Sequence, residues 1–138
     1  MKRTIITTFM AALVLAALGC GGGNSSAAEQ AKEQPAAYRH ISSEEAQALM
    51  EKETGYIILD VRTPKEYAEG HIKDAVNVPN ESISDTPPQE LKDKSQLILV
   101  YCRSGARSKD AAQKLVHMGY TNIVDFGGII DWHGAVVK

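Results

Sequence analysis

The chain has 138 residues, of which 43% are hydrophobic and 23% are charged, and its formal net charge is −2 at pH 7. This length and composition suit one globular domain with a single hydrophobic core. The slightly acidic balance disfavours nucleic acid as a partner, because phosphate backbones are bound by proteins with an excess of basic side chains.

The first 19 residues have the pattern of an export signal. Residues 1–3 are positively charged overall, and residues 5–18 form an apolar run shorter than the roughly 20 residues that a membrane-spanning helix needs. The end of this run resembles the lipobox of bacterial lipoproteins, in which the cysteine, here Cys20, is lipidated. Ala17 occupies the position where a large apolar residue is usual, so cleavage without lipid remains the alternative. We therefore expect an exported lipoprotein that faces the periplasm or the cell exterior.

The segment that follows, residues 20–37, is rich in Gly, Ser, Ala, Gln, Glu and Lys, and we predict a flexible tether there. Removal of residues 1–19 would leave 13 basic and 17 acidic side chains, a formal charge of −4. Exported cysteines often pair, but lipid on Cys20 would leave Cys102 as the free thiol. The four histidines show no zinc-ligand spacing with Cys102, so we expect neither a metal nor a cofactor.

Residues 38–138 form the predicted folded domain, in which apolar runs alternate with helical patterns. Strands are predicted at residues 38–41, 56–61, 75–79, 97–101 and 122–126. Helices are predicted from the capping box at residues 42–45, from Pro64 to Tyr67, over residues 109–116, and near the C-terminus with Ile129, Ile130 and Trp132. This alternation predicts an α/β fold with a parallel sheet and helices on both faces, whose ligands bind at the carboxyl edge of the sheet.

Cys102 lies at that edge, between a buried strand and a helix. Backbone N–H groups of a tight loop at a helix N-terminus carry positive partial charge and favour an anion, which here would be the thiolate of Cys102. Arg103 and Arg107 add two cations, and Gly105 allows the backbone to turn tightly. We therefore predict a nucleophilic thiol, while a buried structural cysteine is the alternative.

The sequence allows more than one role for each of the two arginines of the loop. Arg103 favours a dianionic substrate, although a solvated surface arginine is the alternative. Arg107 either faces the interior of the loop or pairs outward with a carboxylate such as Asp60 or Glu66. The carboxyl edge also holds Asp60 and Arg62, together with Asp125 and Gly127, so the site is expected to be composite.

Several motifs follow one another along the domain: Leu59-Asp60-Val61-Arg62, Glu66-Tyr67, Gly70-His71-Ile72, Ala75, Asn77, Pro79, the loop Cys102-Arg103-Ser104-Gly105-Ala106-Arg107-Ser108, Gly127-Gly128 and Trp132. With these motifs the domain resembles a single-domain rhodanese. The resemblance implies a five-stranded parallel sheet flanked by helices and a sulfurtransferase in which Cys102 carries a persulfide. It also implies that residues 103–107 bind the persulfide through their backbone, and that Asp60 and Arg62 brace the loop.

Loop length separates this resemblance from the phosphatases that share the fold. Four residues lie between Cys102 and Arg107, whereas the phosphatase loop is one residue longer and admits a phosphate group. The expected partners are a small anionic sulfur donor such as thiosulfate and a thiol or cyanide-like acceptor, which includes a thioredoxin-like protein. A non-catalytic carrier that delivers sulfur to a partner protein is the alternative function.

Overall fold

The computed structural model describes residues 38–138. The predicted signal peptide of residues 1–19, the tether of residues 20–37 and the lipid site at Cys20 lie outside the described residues. In chain order the elements are β1 (Arg39–His40), α1 (Ser43–Lys52), β2 (Ile57–Asp60), α2 (Pro64–Glu69), β3 (His71–Ile72), β4 (Val76–Asn77), β5 (Ile98–Cys102), α3 (Ala106–His117), β6 (Ile123–Gly128) and β7 (Val136–Val137). No helix within this described region is long and apolar enough to span a membrane.

Five strands form one parallel sheet in the order β1-β6-β5-β2-β4. The central strand β5 is buried along its whole length, as its continuous apolar sequence predicts. Alternate side chains of a strand point to opposite faces. Val100 and Cys102 belong to the core beneath α3, whereas Tyr101 belongs to the core on the other face, with residues of α1 and α2. The predicted α/β fold with a five-stranded parallel sheet and helices on both faces is confirmed.

The chain around the cysteine loop departs from the prediction in one respect. Helix α3 begins at Ala106, three residues before the predicted start, because Gly105 takes a left-handed conformation with φ of 109° and turns the chain directly from strand to helix. Arg107 and Ser108 therefore lie in the first turn of α3 rather than in a loop that precedes it.

The C-terminal region also differs from the prediction. The expected last helix is only a 3-10 turn, Ile129–Asp131, because the chain continues into β7, which pairs antiparallel with β3. Ile129 and Trp132 pack against the α1 side of the core, while Ile130 is 64% exposed. This two-stranded ribbon was not predicted, since strands of two residues are too short to show alternation.

Candidate active site

The thiol of Cys102 is enclosed by the loop that follows it. Cys102 is the last residue of β5 and is only 1% exposed. The backbone N–H of Gly105 donates a hydrogen bond to Cys102 Sγ at 3.0 Å. The sulfur thus lies at the N-terminus of the 12-residue helix α3, where unpaired amides and the helix dipole favour negative charge. The arrangement suits a thiolate or another sulfur anion at this position.

The backbone of the loop is supported from beneath by the end of β6. Cys102 pairs with Gly128, and the carbonyl oxygen of Arg103 accepts a hydrogen bond from the Ile130 N–H at 3.3 Å. A Cβ atom on Gly128 would lie 2.0 Å from that carbonyl oxygen and 2.7 Å from the Cα of Ser104. Only glycine therefore permits β6 to approach the loop this closely. The carbonyl of Arg103 is thus hydrogen-bonded to the turn that follows β6.

A buried hydroxyl and a buried carboxylate connect the first turn of α3 to β6. Ser108 Oγ donates to Asp125 Oδ1 at 2.7 Å and lies 3.0 Å from the carbonyl oxygen of Gly105. The same Asp125 oxygen accepts the N–H of Gly127 at 3.0 Å. The other oxygen, Oδ2, lies 3.0 Å from Nδ1 of His40 on β1. Ser108 and Asp125 are 0% and 3% exposed, so the hydrogen bonds of the Ser108 hydroxyl to Asp125 and to Gly105 are shielded from water and hold Gly105 in place.

Arg107 points outward and pairs with Glu66. Its two terminal nitrogens donate to the two carboxylate oxygens of Glu66 at 2.8 and 2.9 Å, the bidentate geometry that guanidinium groups favour. Glu66 also accepts the N–H of Thr63 and so completes the capping box of α2. The hydrogen bonds from Arg107 hold the pKa of Glu66 at about 2, and the same pairing raises the pKa of Arg107. Of the alternatives left open by the sequence, the structure selects Glu66.

Asp60 and Arg62 form a buried ion pair beside the same edge. Arg62 Nη2 donates to Asp60 Oδ2 at 2.6 Å and to the carbonyl oxygen of Gly70 at 2.7 Å. Burial lowers the pKa of Arg62, but the hydrogen bonds and the negative charge of Asp60, together with smaller contributions from Tyr101, outweigh burial and the net shift is upward. The hydroxyl of Tyr101 donates to Asp60 at 2.7 Å. Burial and, to a smaller extent, this hydrogen bond raise the pKa of Tyr101. The ion pair thus holds Tyr101, the residue before Cys102. That Asp60 and Arg62 also support residues 103–107 directly stays a prediction.

The rim of the loop is open to solvent. Arg103, Ser104 and Ala106 are exposed, and Gly105 and Arg107 are half-buried. Ser104 and Gly105 form part of the wall of an open cavity of about 430 Å³, which extends from the loop to the start of α1 and to His40. A small anion or the end of a larger molecule can therefore approach the loop from this side.

Sequence reasoning assigned no role to Ser108 or His40 and only placed Asp125 at the edge. One signal was present, since Asp125 is an acidic residue inside an apolar strand, and a buried carboxylate requires partners. The partners themselves lie 17 and 85 residues away in sequence. Only the packing of α3 and β1 on β6 brings them together.

The chain is similar to known proteins in both sequence and structure. A profile of the rhodanese-like domain family matches residues 42–135. Thiosulfate sulfurtransferase PspE of Escherichia coli is 34% identical over 73 residues, which cover 53% of this chain and 70% of that protein. A sulfurtransferase of Allochromatium vinosum is 37% identical over 97 residues, which cover 68% of this chain and 89% of the relative. The solved structure of a rhodanese with anions from E. coli matches with a TM-score of 0.56 and 32% identity, over 60% of this chain and 98% of that one.

Proposed function

Because this chain belongs to the rhodanese-like family and is a transferase of the rhodanese type, we propose that it moves a sulfane sulfur from thiosulfate or a similar donor to a thiophilic acceptor through a persulfide on Cys102. The observation that carries the proposal is the hydrogen bond from the Gly105 N–H to Cys102 Sγ at the N-terminus of α3. This geometry favours a sulfur anion over a neutral thiol.

The proposed reaction has two steps. In the first, the thiolate of Cys102 attacks the outer sulfur of thiosulfate, the sulfur–sulfur bond of the donor breaks, and sulfite leaves with the bonding electron pair. In the second, an acceptor attacks the outer sulfur of the persulfide and the thiolate of Cys102 leaves. The Gly105 N–H stabilises both anions because it is directed at Cys102 Sγ before the reaction begins, so this group does not have to reorient at either step.

The charges and the length of the loop also favour a small dianionic donor. Arg107 is held by Glu66, so its charge lies beside the loop without filling it, whereas the exposed Arg103 is free to meet an anion at the rim. Because the Arg107–Glu66 pair has no net charge, Arg103 is the cation that attracts the donor, and it attracts thiosulfate, with two negative charges, more strongly than a monoanion. The four residues between Cys102 and Arg107 leave room for a sulfur atom rather than a phosphate ester.

The test uses the purified chain with thiosulfate as donor and cyanide as acceptor. Thiocyanate should form catalytically, and mass spectrometry after treatment with thiosulfate alone should show one added sulfur on Cys102. The variant Cys102→Ser should lose both signals, while a thermal melt verifies that it remains folded. A wild-type protein that forms neither thiocyanate nor a persulfide would contradict the proposal.

The alternative, a carrier that delivers persulfide sulfur to a thioredoxin-like partner protein, is favoured by one feature. The rim of the loop and the adjacent Ile130, which is 64% exposed, form an accessible surface that another protein can contact. An enzyme should turn over many times with small donors and acceptors. A carrier should instead hold a stable persulfide until the partner protein is added.

For localisation we propose export and attachment to a membrane through lipid on Cys20. The support is the sequence pattern alone, namely a basic start, a short apolar run and a single cysteine at its end. The mass of the native protein, extracted from its own cells, should correspond to a chain that begins at Cys20 with added acyl groups. A mature chain without lipid would indicate ordinary cleavage, and an intact N-terminus would contradict export by this signal.

A further inference from the structure

His40 is oriented by a buried carboxylate next to the loop. Its Nδ1 lies 3.0 Å from Asp125 Oδ2, and the side chains of the two residues are 67% and 4% exposed. A carboxylate only accepts hydrogen bonds, so Nδ1 carries the hydrogen, and the lone pair of the neutral ring is left on Nε2. Among residues 38–138 that nitrogen has no hydrogen-bond partner. The ring is thus fixed with one nitrogen able to accept a proton.

The ring of His40 shares two cavities with the sulfur-binding loop. His40 and Gly105 both form part of the wall of the cavity of about 430 Å³ and of a smaller one of about 270 Å³. Gly105 is the residue whose N–H contacts Cys102 Sγ. A second histidine, His133, also lies in the larger cavity, but its Nε2 is 3.6 Å from the carboxylate of Glu44, too far for a hydrogen bond, and both side chains are exposed. Of these two rings, only that of His40 is held by a hydrogen bond to a buried carboxylate, so only its second nitrogen has a fixed direction.

The chemistry of a thiol acceptor requires a proton acceptor that the loop lacks. A thiol attacks as its thiolate and must lose a proton when it reacts near neutral pH. The side chains of residues 103–107 are two arginines, a serine, an alanine and the hydrogen of glycine, and none of these is a base at neutral pH. Sulfite is different, since much of it is the dianion near neutral pH and the sulfur lone pair with which that dianion attacks carries no proton.

We propose that His40, held by Asp125, takes the proton of thiol acceptors as they attack the persulfide. This inference rests on the proposed function of Cys102. The thiol sulfur bonds to the outer persulfide sulfur, and its proton passes to His40 Nε2. The bond between that sulfur and Cys102 Sγ breaks, and its electron pair stays on Sγ as the thiolate. One persulfide anion and one neutral thiol thus yield the Cys102 thiolate, a new persulfide anion and a protonated His40, so that atoms and charge balance.

The test compares two acceptors in a single turnover. Wild type and His40→Gln are loaded with thiosulfate, freed of excess donor and mixed with 2-mercaptoethanol or with sulfite, and mass spectrometry follows the loss of sulfur from Cys102. The variant should discharge to the thiol roughly 100-fold more slowly, within the usual range for general base catalysis. Its discharge to sulfite should be unchanged. His117→Gln, which replaces an exposed histidine at the far end of α3, is the matched control and should behave as wild type with both acceptors.

The outcomes separate this inference from the proposed function. Equal slowing with both acceptors would mean that His40 only supports the loop, and an unchanged thiol rate would mean that it takes no proton, so either result overturns the inference while the persulfide mechanism stands. Absence of any persulfide on wild type would overturn the proposed function and this inference with it. As a further measurement, added imidazole should restore thiol discharge to His40→Ala and should leave its sulfite discharge unchanged.

Discussion

The close contact between Gly128 and the loop makes Gly128→Ala the most informative substitution outside the loop itself. The new Cβ would lie 2.0 Å from the carbonyl oxygen of Arg103, whereas an ordinary contact of this kind begins near 3.4 Å. The loop and β6 must therefore separate by about 1.4 Å at this point. The obstacle is backbone on both sides, so no flexible side chain can move aside.

The expected loss of activity follows from the position of the displaced atoms. The carbonyl of Arg103 and the Cα of Ser104 are in the segment that leads to the Gly105 N–H, which contacts Cys102 Sγ at 3.0 Å. Misplacement of a catalytic group by about 1 Å can lower a rate roughly 100-fold. We expect a similar decrease in kcat/KM, with a loss of about 1–3 kcal/mol in the free energy of unfolding, as is typical when a close-packed site is overfilled.

The measurement pairs the thiocyanate assay with urea unfolding. Gly55→Ala is the matched control, because Gly55 has a positive φ of 69° and no atom within 4 Å of its would-be Cβ. That variant should lose about 1–2 kcal/mol of stability from backbone strain alone and keep its activity. The reasoning would be refuted if Gly128→Ala folded with kcat/KM within a few-fold of wild type, or if Gly55→Ala lost as much activity.

Three further predictions concern charge and buried polar groups. The pairing of Glu66 with Arg107 lowers the pKa of Glu66 from 4.5 to about 2, so its stabilisation is complete above pH 4.5 and is lost as the pH falls towards 2. The contribution of this pair to the free energy of unfolding is at most about 3 kcal/mol, and partial exposure to solvent reduces it to about 1 kcal/mol. It is measured as the difference in the free energy of unfolding between wild type and Glu66→Gln, followed between pH 4.5 and pH 2. Arg103→Ala should raise KM for thiosulfate about fivefold at low salt, with a smaller effect at high ionic strength in steady-state assays. Tyr101→Phe should lower the free energy of unfolding by about 1–3 kcal/mol in urea titrations, because Asp60 and the Ile72 N–H each lose a buried partner.

The fold could be predicted because its signals are local. The apolar run that ends at Cys102 is long enough to identify a buried strand, and helices follow the strands at regular spacing. The capping boxes of α1 and α2 are formed as a Ser or Thr three residues before a Glu, and the one at Ser42 was recognised in the sequence. The expected C-terminal helix was wrong, because apolar residues that pack on the core look the same in a turn as in a helix.

The candidate site could be predicted only in part. The position of Cys102 at the carboxyl end of a central strand follows from the topology alone, since parallel strands align those ends along one edge. The partner of Arg107 did not follow, because Asp60 and Glu66 are both acidic and close to the same edge. Tertiary packing resolved this choice, because the carboxylate of Asp60 already accepts hydrogen bonds from Tyr101 and Arg62. Glu66, in the first turn of α2, instead faces Arg107.

By itself, the sequence determined the chain order of the five strands of the parallel sheet and of the three helices α1 to α3, and it placed a cysteine that is followed by two arginines at the carboxyl edge of that sheet. These features depend on residues that are neighbours in the chain, where hydrophobic spacing and the turn preference of Gly105 act directly. The tertiary structure decided the rest, namely the contact of Gly128 with the loop and the hydrogen bonds that connect Asp125 with His40 and with Ser108. These contacts join β1, β6 and α3, and the pairing of polar groups across such distances depends on how the elements pack rather than on any local pattern.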